Sequence, residues 1–75
     1  MMPKSRIKKG GVYRCSRSNE ENDREVLWLQ PTDRGLTHTW VHFREVDKSG
    51  APVKHWKQRY VALTTFSGWA DKRVR

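Results

Sequence analysis

Residues 37–46 read THTWVHFREV and show the clearest strand pattern in the chain. Their threonine, tryptophan, valine and phenylalanine side chains favour a pleated strand. Because successive side chains of a strand point to opposite faces, Val41 and Phe43 are expected to share one face. The other face carries polar, basic and aromatic side chains: His38, Trp40, His42 and Arg44. The pattern therefore predicts a strand with a core side and an outer side.

Further short strands are predicted on both sides of this one. The apolar residues occur in short groups separated by turn-forming residues, and they do not recur at helical spacing. These groups predict strands at residues 12–15, 24–30, 53–63 and 71–74. Loops or turns are predicted at residues 16–23, 31–35 and 47–52, where Gly, Pro, Asn, Asp and Ser are concentrated.

The predicted strand at residues 24–30 has apolar side chains on both faces. Strict alternation places Leu27 and Leu29 on one face. Val26 and Trp28 then lie on the other face, together with Gln30. We therefore expect this strand to be covered on both sides.

The pattern changes near residue 64, where a short helix is predicted. Thr64 and Thr65 are expected to cap a single helical turn that includes Phe66 and Trp69. Gly68 disfavours a longer helix. Together the elements predict a mostly β fold, a small and strongly bent antiparallel sheet or partly closed barrel of four to five strands, with one short helical turn near the C-terminus.

The length of 75 residues allows one small core. Residues 1–9 are predicted to form a flexible basic arm with Ile7 as its only anchor, and residues 10–75 to form a single small β domain. Cys15 is the only cysteine, so an internal disulfide is excluded and a cytoplasmic location is expected. The longest apolar runs have three residues, far below the roughly 20 that span a bilayer, so no membrane partner is expected.

Positive charge is concentrated at the two ends of the sequence. The chain has 16 Lys and Arg against 8 Asp and Glu, a formal net charge of +8. Residues 1–17 carry six positive charges and no negative one, and residues 53–75 carry six positive charges against Asp71 alone. Because chain termini are often close together in small domains, the two clusters are expected to merge into one patch. Such a patch attracts phosphate backbones or an acidic protein surface.

The order of several segments resembles that of small SH3-like barrel accessory proteins of phages and bacteria. These segments read KKGGVYR at residues 8–14, REVLWL at 24–29, THTWVHFREV at 37–46 and YVALTTFSGWA at 60–70, with a Gly-Pro loop before the last. The resemblance implies an SH3-like barrel in which Phe66 fills the end of the barrel. It also implies binding to nucleic acid or protein, in the host-cell cytoplasm if the protein is phage-encoded, and no particular chemistry.

Aromatic residues interleaved with basic ones indicate a surface for nucleic acid, because rings stack on bases while cations contact phosphates. The residues predicted to bind a partner lie on the strand at 37–46, on the strand after it and at both ends: Lys4, Arg6, Lys8, Lys9, Trp40, His42, Arg44, Trp56, Lys57, Arg59, Lys72 and Arg73. The alternative for each tryptophan is core packing, since a small core uses many of its aromatic residues.

The residue types needed for metal binding or catalysis are present, but not at a recognisable spacing. Cys15, His38, His42 and His55 lack the paired arrangement of a structural zinc site, and no metal or other cofactor is expected. Catalytic motifs are absent, and a non-enzymatic role is predicted. The leading interpretation is a basic module that binds DNA or RNA. The alternatives are a phage-type adaptor or inhibitor that modulates transcription by binding a host protein such as RNA polymerase, and a small ribonuclease using His42 or His55 with Arg59. No small-molecule substrate is expected, and the oligomeric state is left open.

Overall fold

The computed structural model describes residues 1–18, 21–34 and 38–75. It contains five strands and one α-helix, preceded by a short 3-10 helical turn at Lys4–Arg6. The strands are β1 (Val12–Arg14), β2 (Asp23–Gln30), β3 (Trp40–Val46), β4 (Arg59–Ala62) and β5 (Lys72–Arg73), and the helix is α1 (Leu63–Trp69). All pairings are antiparallel, and the strand order is β4-β3-β2-β1-β5.

The predicted mostly β fold with a short C-terminal helix is confirmed. The sheet is open, because β4 and β5 form its two edges and do not pair with each other within the described part of the chain. The structure thus has the antiparallel sheet of the prediction in an open form, and its described strands do not close into a barrel. Parts of the predicted loop at 16–23, the turn at 31–35 and the strand start at Thr37 lie outside the described residues. Neither described helix is long and apolar enough to cross a membrane.

A β-bulge in β2 makes the predicted alternation of this strand wrong. The pairing with β3 shifts register between Val26 and Trp28, so that Leu27 is an extra residue. Because of the extra residue, the inward and outward alternation after the bulge is shifted by one position relative to the alternation before it. Val26 is buried in the core and Leu29 packs against it, whereas Trp28 lies exposed on the opposite face. The strand is therefore not covered on both sides.

The core lies on one face of the sheet, beneath α1 and the N-terminal segment. Phe66 of α1 is fully buried, and its ring lies 5.6 Å from that of Tyr13 and 5.7 Å from that of Phe43, centroid to centroid. Val41 and Phe43 face this core, as the alternation of β3 predicts. The core side of the sheet therefore supports α1, and the outer side is left to carry exposed residues.

The N-terminal segment is packed against this core, which corrects the prediction of a separate flexible arm at residues 1–9. Met2 and Ile7 both belong to the hydrophobic core. The backbone N–H of Met2 donates to the carbonyl of Ser67 in α1, at 3.0 Å. The hydroxyl of Tyr13 accepts a hydrogen bond from the N–H of Lys8 at 2.7 Å and donates to the carbonyl of Arg6 at 2.8 Å. The segment contributes core as well as charge.

Two predicted element boundaries near the C-terminal half are also wrong. A turn interrupts the predicted strand at residues 53–63, because the N–H of Trp56 bonds to the carbonyl of Val53 and His55 has φ 61°. The helix begins at Leu63 after an N-cap at Ala62, without a side-chain cap. The predicted capping by Thr64 and Thr65 is therefore wrong. Leu63, the first residue of α1, is buried and packs in the core.

A buried carboxylate, that of Asp23, is held by two basic side chains. Asp23 is 1% exposed, and it accepts hydrogen bonds from Arg14 at 2.8 and 3.0 Å and from Lys48 at 3.2 Å. The hydrogen bonds from Arg14 hold the pKa of Asp23 below its usual value against the opposing effect of burial, and Lys48 adds to the lowering. A lowered folded-state pKa contributes stability that is present above the unfolded value of about 3.9 and is lost as pH falls through the folded value.

We expect the free energy of unfolding to decline steeply below about pH 4, where Asp23 takes up a proton on unfolding. Asp23→Asn removes this proton uptake, so the variant should be less stable at pH 7 and should show a shallower acid decline. Urea denaturation at a series of pH values between 2 and 7 measures both effects. An acid decline of unchanged steepness in Asp23→Asn would contradict the assignment, because Asp47 and Asp71, whose pKa values are also lowered, would then account for it.

Candidate nucleic-acid interface

Four aromatic side chains lie together on the outer face of the sheet, and we call this group the aromatic surface: Trp28, Trp40, His42 and Tyr60. Strand pairing brings them together. His42 of β3 lies opposite Trp28 of β2 on one side and opposite Tyr60 of β4 on the other. The bulge at Leu27 is what brings Trp28 to this face.

The rings of the aromatic surface form a column across three strands. The rings of Trp28 and His42 are stacked at 4.0 Å with an interplanar angle of 8°, and His42 and Tyr60 follow at 5.5 Å and 32°. Trp40 meets the Tyr60 ring edge to face at 5.4 Å. The two ends of the column are open to solvent, since Trp28 is 40% exposed and Tyr60 is 63% exposed. Both end rings are therefore partly accessible to a ligand from solvent.

The middle of the column is fixed by two glutamines. One ring nitrogen of His42, Nε2, lies 2.8 Å from Oε1 of Gln30, and Nδ1 lies 3.0 Å from Nε2 of Gln58. A neutral imidazole with its proton on Nε2 satisfies both contacts. Because both nitrogens are engaged, His42 acts here as a rigid stacking ring and has no free nitrogen for proton transfer.

Three basic residues predicted to bind together with the rings, Arg44, Lys57 and Arg59, are not part of the column. Nε of Arg44 donates to Glu25 at 2.6 Å, and the Arg44 guanidinium lies 4.9 Å from the ring centroid of Trp56. Arg44 is thus neutralised and covers one face of Trp56, outside the column. Lys57 is exposed in the loop before β4. Arg59 pairs with Phe43, which faces the core, so cross-strand pairing puts Arg59 on the opposite side from the rings.

The two basic ends of the chain meet at the β5 edge of the sheet, in agreement with the predicted merging of the termini. A cavity of about 520 Å³ lies between the N-terminal segment and β5. Four of its lining residues are basic, and we call it the basic cavity: Arg6, Lys8, Lys72 and Arg73. Lys4 and Lys9 belong to the same segment but do not line the cavity. Tyr13 connects the N-terminal segment to β5, because its hydroxyl is hydrogen-bonded to that segment and its backbone pairs with Arg73.

A smaller cavity of about 300 Å³ lies beside Trp40 and Ala62. Its polar lining residues are Arg34, Asp33, Thr32 and His38. His38 therefore joins the neighbourhood of Trp40, as the alternation at residues 37–46 indicates. Among the described residues, no group of three or more His, Cys, Asp or Glu side chains could hold a metal ion.

The structure brings six of the twelve predicted binding residues onto two surfaces, and the other six belong to neither: Lys4, Lys9, Arg44, Trp56, Lys57 and Arg59. Trp40 and His42 belong to the aromatic surface, and the basic cavity collects four of the charged residues from the termini. Sequence reasoning assigned Trp28 to a covered face and gave no role to Gln30 and Gln58. The bulge at Leu27 could not be predicted, because leucine has no particular preference for bulges. A glutamine near or on a strand does not by itself indicate that it holds a neighbouring ring. Comparison with models of known protein families gives no match, and comparisons with curated proteins and with solved structures give none either.

Because those comparisons give no match, the resemblance to SH3-like accessory proteins stays a prediction. The residues quoted for it, including the buried Phe66, fit a β fold of several kinds. Function is therefore proposed from the geometry and charge of the two surfaces.

Proposed function

We propose that the protein binds single-stranded nucleic acid by stacking bases on the aromatic surface. The observation that supports this most directly is the column Trp28–His42–Tyr60, which ends in two solvent-exposed rings on an open sheet face. Base stacking on protein rings contributes about 1–3 kcal/mol per base and tolerates any sequence. Paired bases inside a duplex do not offer their faces, so a single strand is the matching ligand.

The net charge of +8 supports the same proposal, because it attracts a phosphate backbone of either DNA or RNA. An adaptor that docks on an acidic protein, such as a host polymerase, is the alternative, since tryptophan and tyrosine also dominate protein interfaces. The described geometry gives no support to a ribonuclease that uses His42, because both ring nitrogens of His42 are engaged and Arg59 lies on the other side of the sheet. The version of this alternative that uses His55 stays a prediction.

We expect Trp28→Ala and Tyr60→Ala each to weaken single-strand binding by roughly 5- to 150-fold, as expected for the loss of one stacked base. Fluorescence anisotropy of labelled 12-nucleotide DNA and RNA, in single-stranded and duplex form, measures the affinities. Trp56→Ala is the matched control, because Trp56 is 43% exposed but lies outside the column with Arg44 over its ring. Its affinity should stay within about twofold of the unmodified protein, since no base-stacking contribution of the size above is removed.

The assay separates the alternatives. Failure to bind any single strand at low salt would contradict the proposal and leave an acidic protein as the partner to seek. Equal losses in all three variants would show that the column has no special role. Intact RNA after incubation, checked on a denaturing gel, is the result expected for a binding protein.

A further inference from the structure

We propose that the basic cavity is a second binding site, and that it takes a ligand with two or more linked phosphate groups. The linked phosphates could belong to a nucleic-acid backbone or to a free polyphosphate, which present the same chemistry. The site lies apart from the aromatic surface, and only its nucleic-acid form rests on the function proposed above.

Unpaired positive charge is the first support for this site. The side chains of Arg6, Lys8 and Lys72 form no hydrogen bond or ion pair recorded within residues 1–18, 21–34 and 38–75. Nε of Arg73 donates to the carbonyl of Arg75 at 2.7 Å, which leaves the other guanidinium donors for a ligand. These four cations come from two distant parts of the sequence and converge on one cavity.

Three cations elsewhere in the fold are used differently. Arg14 and Lys48 bind the carboxylate of Asp23, and Arg44 binds that of Glu25. Pairing removes most of their attraction for an external anion. What distinguishes the basic cavity is that four cations from two segments line it together with a single carboxylate, that of Asp71.

One carboxylate lines the cavity, and its charge is already engaged. Asp71 accepts hydrogen bonds from the backbone N–H and the hydroxyl of Ser16, and it lies 3.9 Å from Nε of Arg17. The hydrogen bond from the Ser16 hydroxyl is the main cause that lowers the pKa of Asp71, so this group stays ionised and paired. The four cations therefore outweigh it.

The cavity is also built on ordered parts of the fold and is larger than a single ion needs. Ile7 and Met2 anchor one wall in the core, and Tyr13 links that wall to β5. Its volume of about 520 Å³ is more than ten times the roughly 30 Å³ that one water molecule occupies in the liquid. Because its cations come from both the N-terminal segment and β5, a ligand with linked phosphate groups matches the cavity better than one small anion does.

The position of the cavity makes it testable separately from the rings. It lies at the β5 edge, and β1 separates β5 from β2, the nearest strand of the aromatic surface. Probes without bases therefore test the cavity without any contribution from base stacking on the rings. We would use inorganic tripolyphosphate in isothermal titration calorimetry and an eight-residue abasic deoxyribose-phosphate oligomer in fluorescence anisotropy.

We expect Lys72→Gln and Arg6→Gln each to weaken binding of the responsive probe about tenfold, because each removes a charge-assisted hydrogen bond. The matched control is Lys54→Gln, which removes the same single charge from an exposed lysine in the loop before β4. Its affinity should change less than about twofold, since it supplies only distant, screened attraction. For the oligomer, each cavity variant should also reduce the salt slope by about 0.7.

Binding of tripolyphosphate without the abasic oligomer would support the site with a free polyphosphate as its ligand, and binding of the oligomer would assign it to a nucleic-acid backbone. Two results would overturn the proposal: no binding of either probe, or equal losses in Lys72→Gln and Lys54→Gln. Because neither probe contains a base, these outcomes do not depend on whether Trp28 and Tyr60 stack bases.

Discussion

Removal of residues 1–9 is expected to unfold the protein, although the sequence of this segment is that of a basic tail. Ile7 is 2% exposed and Met2 is buried beside it in the core. Truncating one such aliphatic side chain to alanine typically costs about 2–5 kcal/mol. The deletion also leaves the Tyr13 hydroxyl without its two backbone partners, at a further cost of about 1–3 kcal/mol if the site stays buried.

The total stability available to a chain of this size is small, roughly 4–11 kcal/mol at 0.05–0.15 kcal/mol per residue. The combined losses reach that range, so the deletion protein should lack a cooperative thermal transition in near-UV circular dichroism. Lys4→Gln/Lys9→Gln is the control, because it removes two charges from the same segment without touching the core. A deletion protein that melts like the full chain would restore the view of this segment as a separate arm.

The comparison of the deletion with the double substitution also bears on how binding experiments are interpreted. Loss of binding in a deletion protein would follow from unfolding, and it would not show that the basic residues contact a ligand. Single substitutions such as Lys72→Gln avoid this ambiguity, because Lys72 is exposed and outside the core.

The parts of the fold that could be predicted are those with regular local patterns. The alternation of β3 is uninterrupted, so Val41 and Phe43 were correctly assigned to the core and Trp40 and His42 to the outer face. The meeting of the two basic ends could be predicted too, because β5 returns beside β1.

The parts that could not be predicted depend on single residues or on distant contacts. One extra residue at Leu27 places Trp28 on the outer face. Leucine has no conformational preference from which a bulge could be predicted. Met2 and Ile7 stand among charged residues without any periodicity. The sequence marks Ile7 as an anchor, but only the packing in the structure identifies Met2 as core and shows that the whole segment lies against the domain. The left-handed backbone at His55 places a turn where the first part of the fourth strand was predicted, and β4 begins only at Arg59.

The aromatic surface likewise depends on a single extra residue and on contacts between strands. The column on the outer face exists because the bulge in β2 aligns Trp28 with His42 in β3, and because the short β4 places Tyr60 on the other side of His42. Sequence reasoning identified the middle strand of the column and placed Tyr60 on the next strand of the same surface, but it did not place Trp28 at the other exposed end. These two end rings are the ones that would meet a base.

Phe66→Ala is expected to cause the largest loss of stability of any single substitution in α1. Phe66 is fully buried, and its ring contacts the rings of Tyr13, Phe43 and Trp69 at centroid distances of 5.5 to 5.7 Å. Replacing a buried phenylalanine by alanine costs about 3–5 kcal/mol, because the surrounding structure closes the resulting cavity only in part. For a domain of this size each kcal/mol lowers the melting temperature by about 4–8 °C, so Tm should fall by at least roughly 12 °C.

Differential scanning calorimetry of Phe66→Ala and Phe66→Leu measures this effect. Leucine keeps most of the apolar volume, so its loss should be clearly smaller, and similar values for the two variants would contradict a packing role. Phe66 faces the core, on the side of the sheet opposite the aromatic surface. Single-strand affinity of Phe66→Ala, measured well below its transition, should therefore stay within about twofold of the unmodified protein, because the outer rings retain their stacking contribution. A larger loss of affinity in the folded variant would show that core packing holds the column in place, and the exposed rings would then no longer be a surface independent of the core.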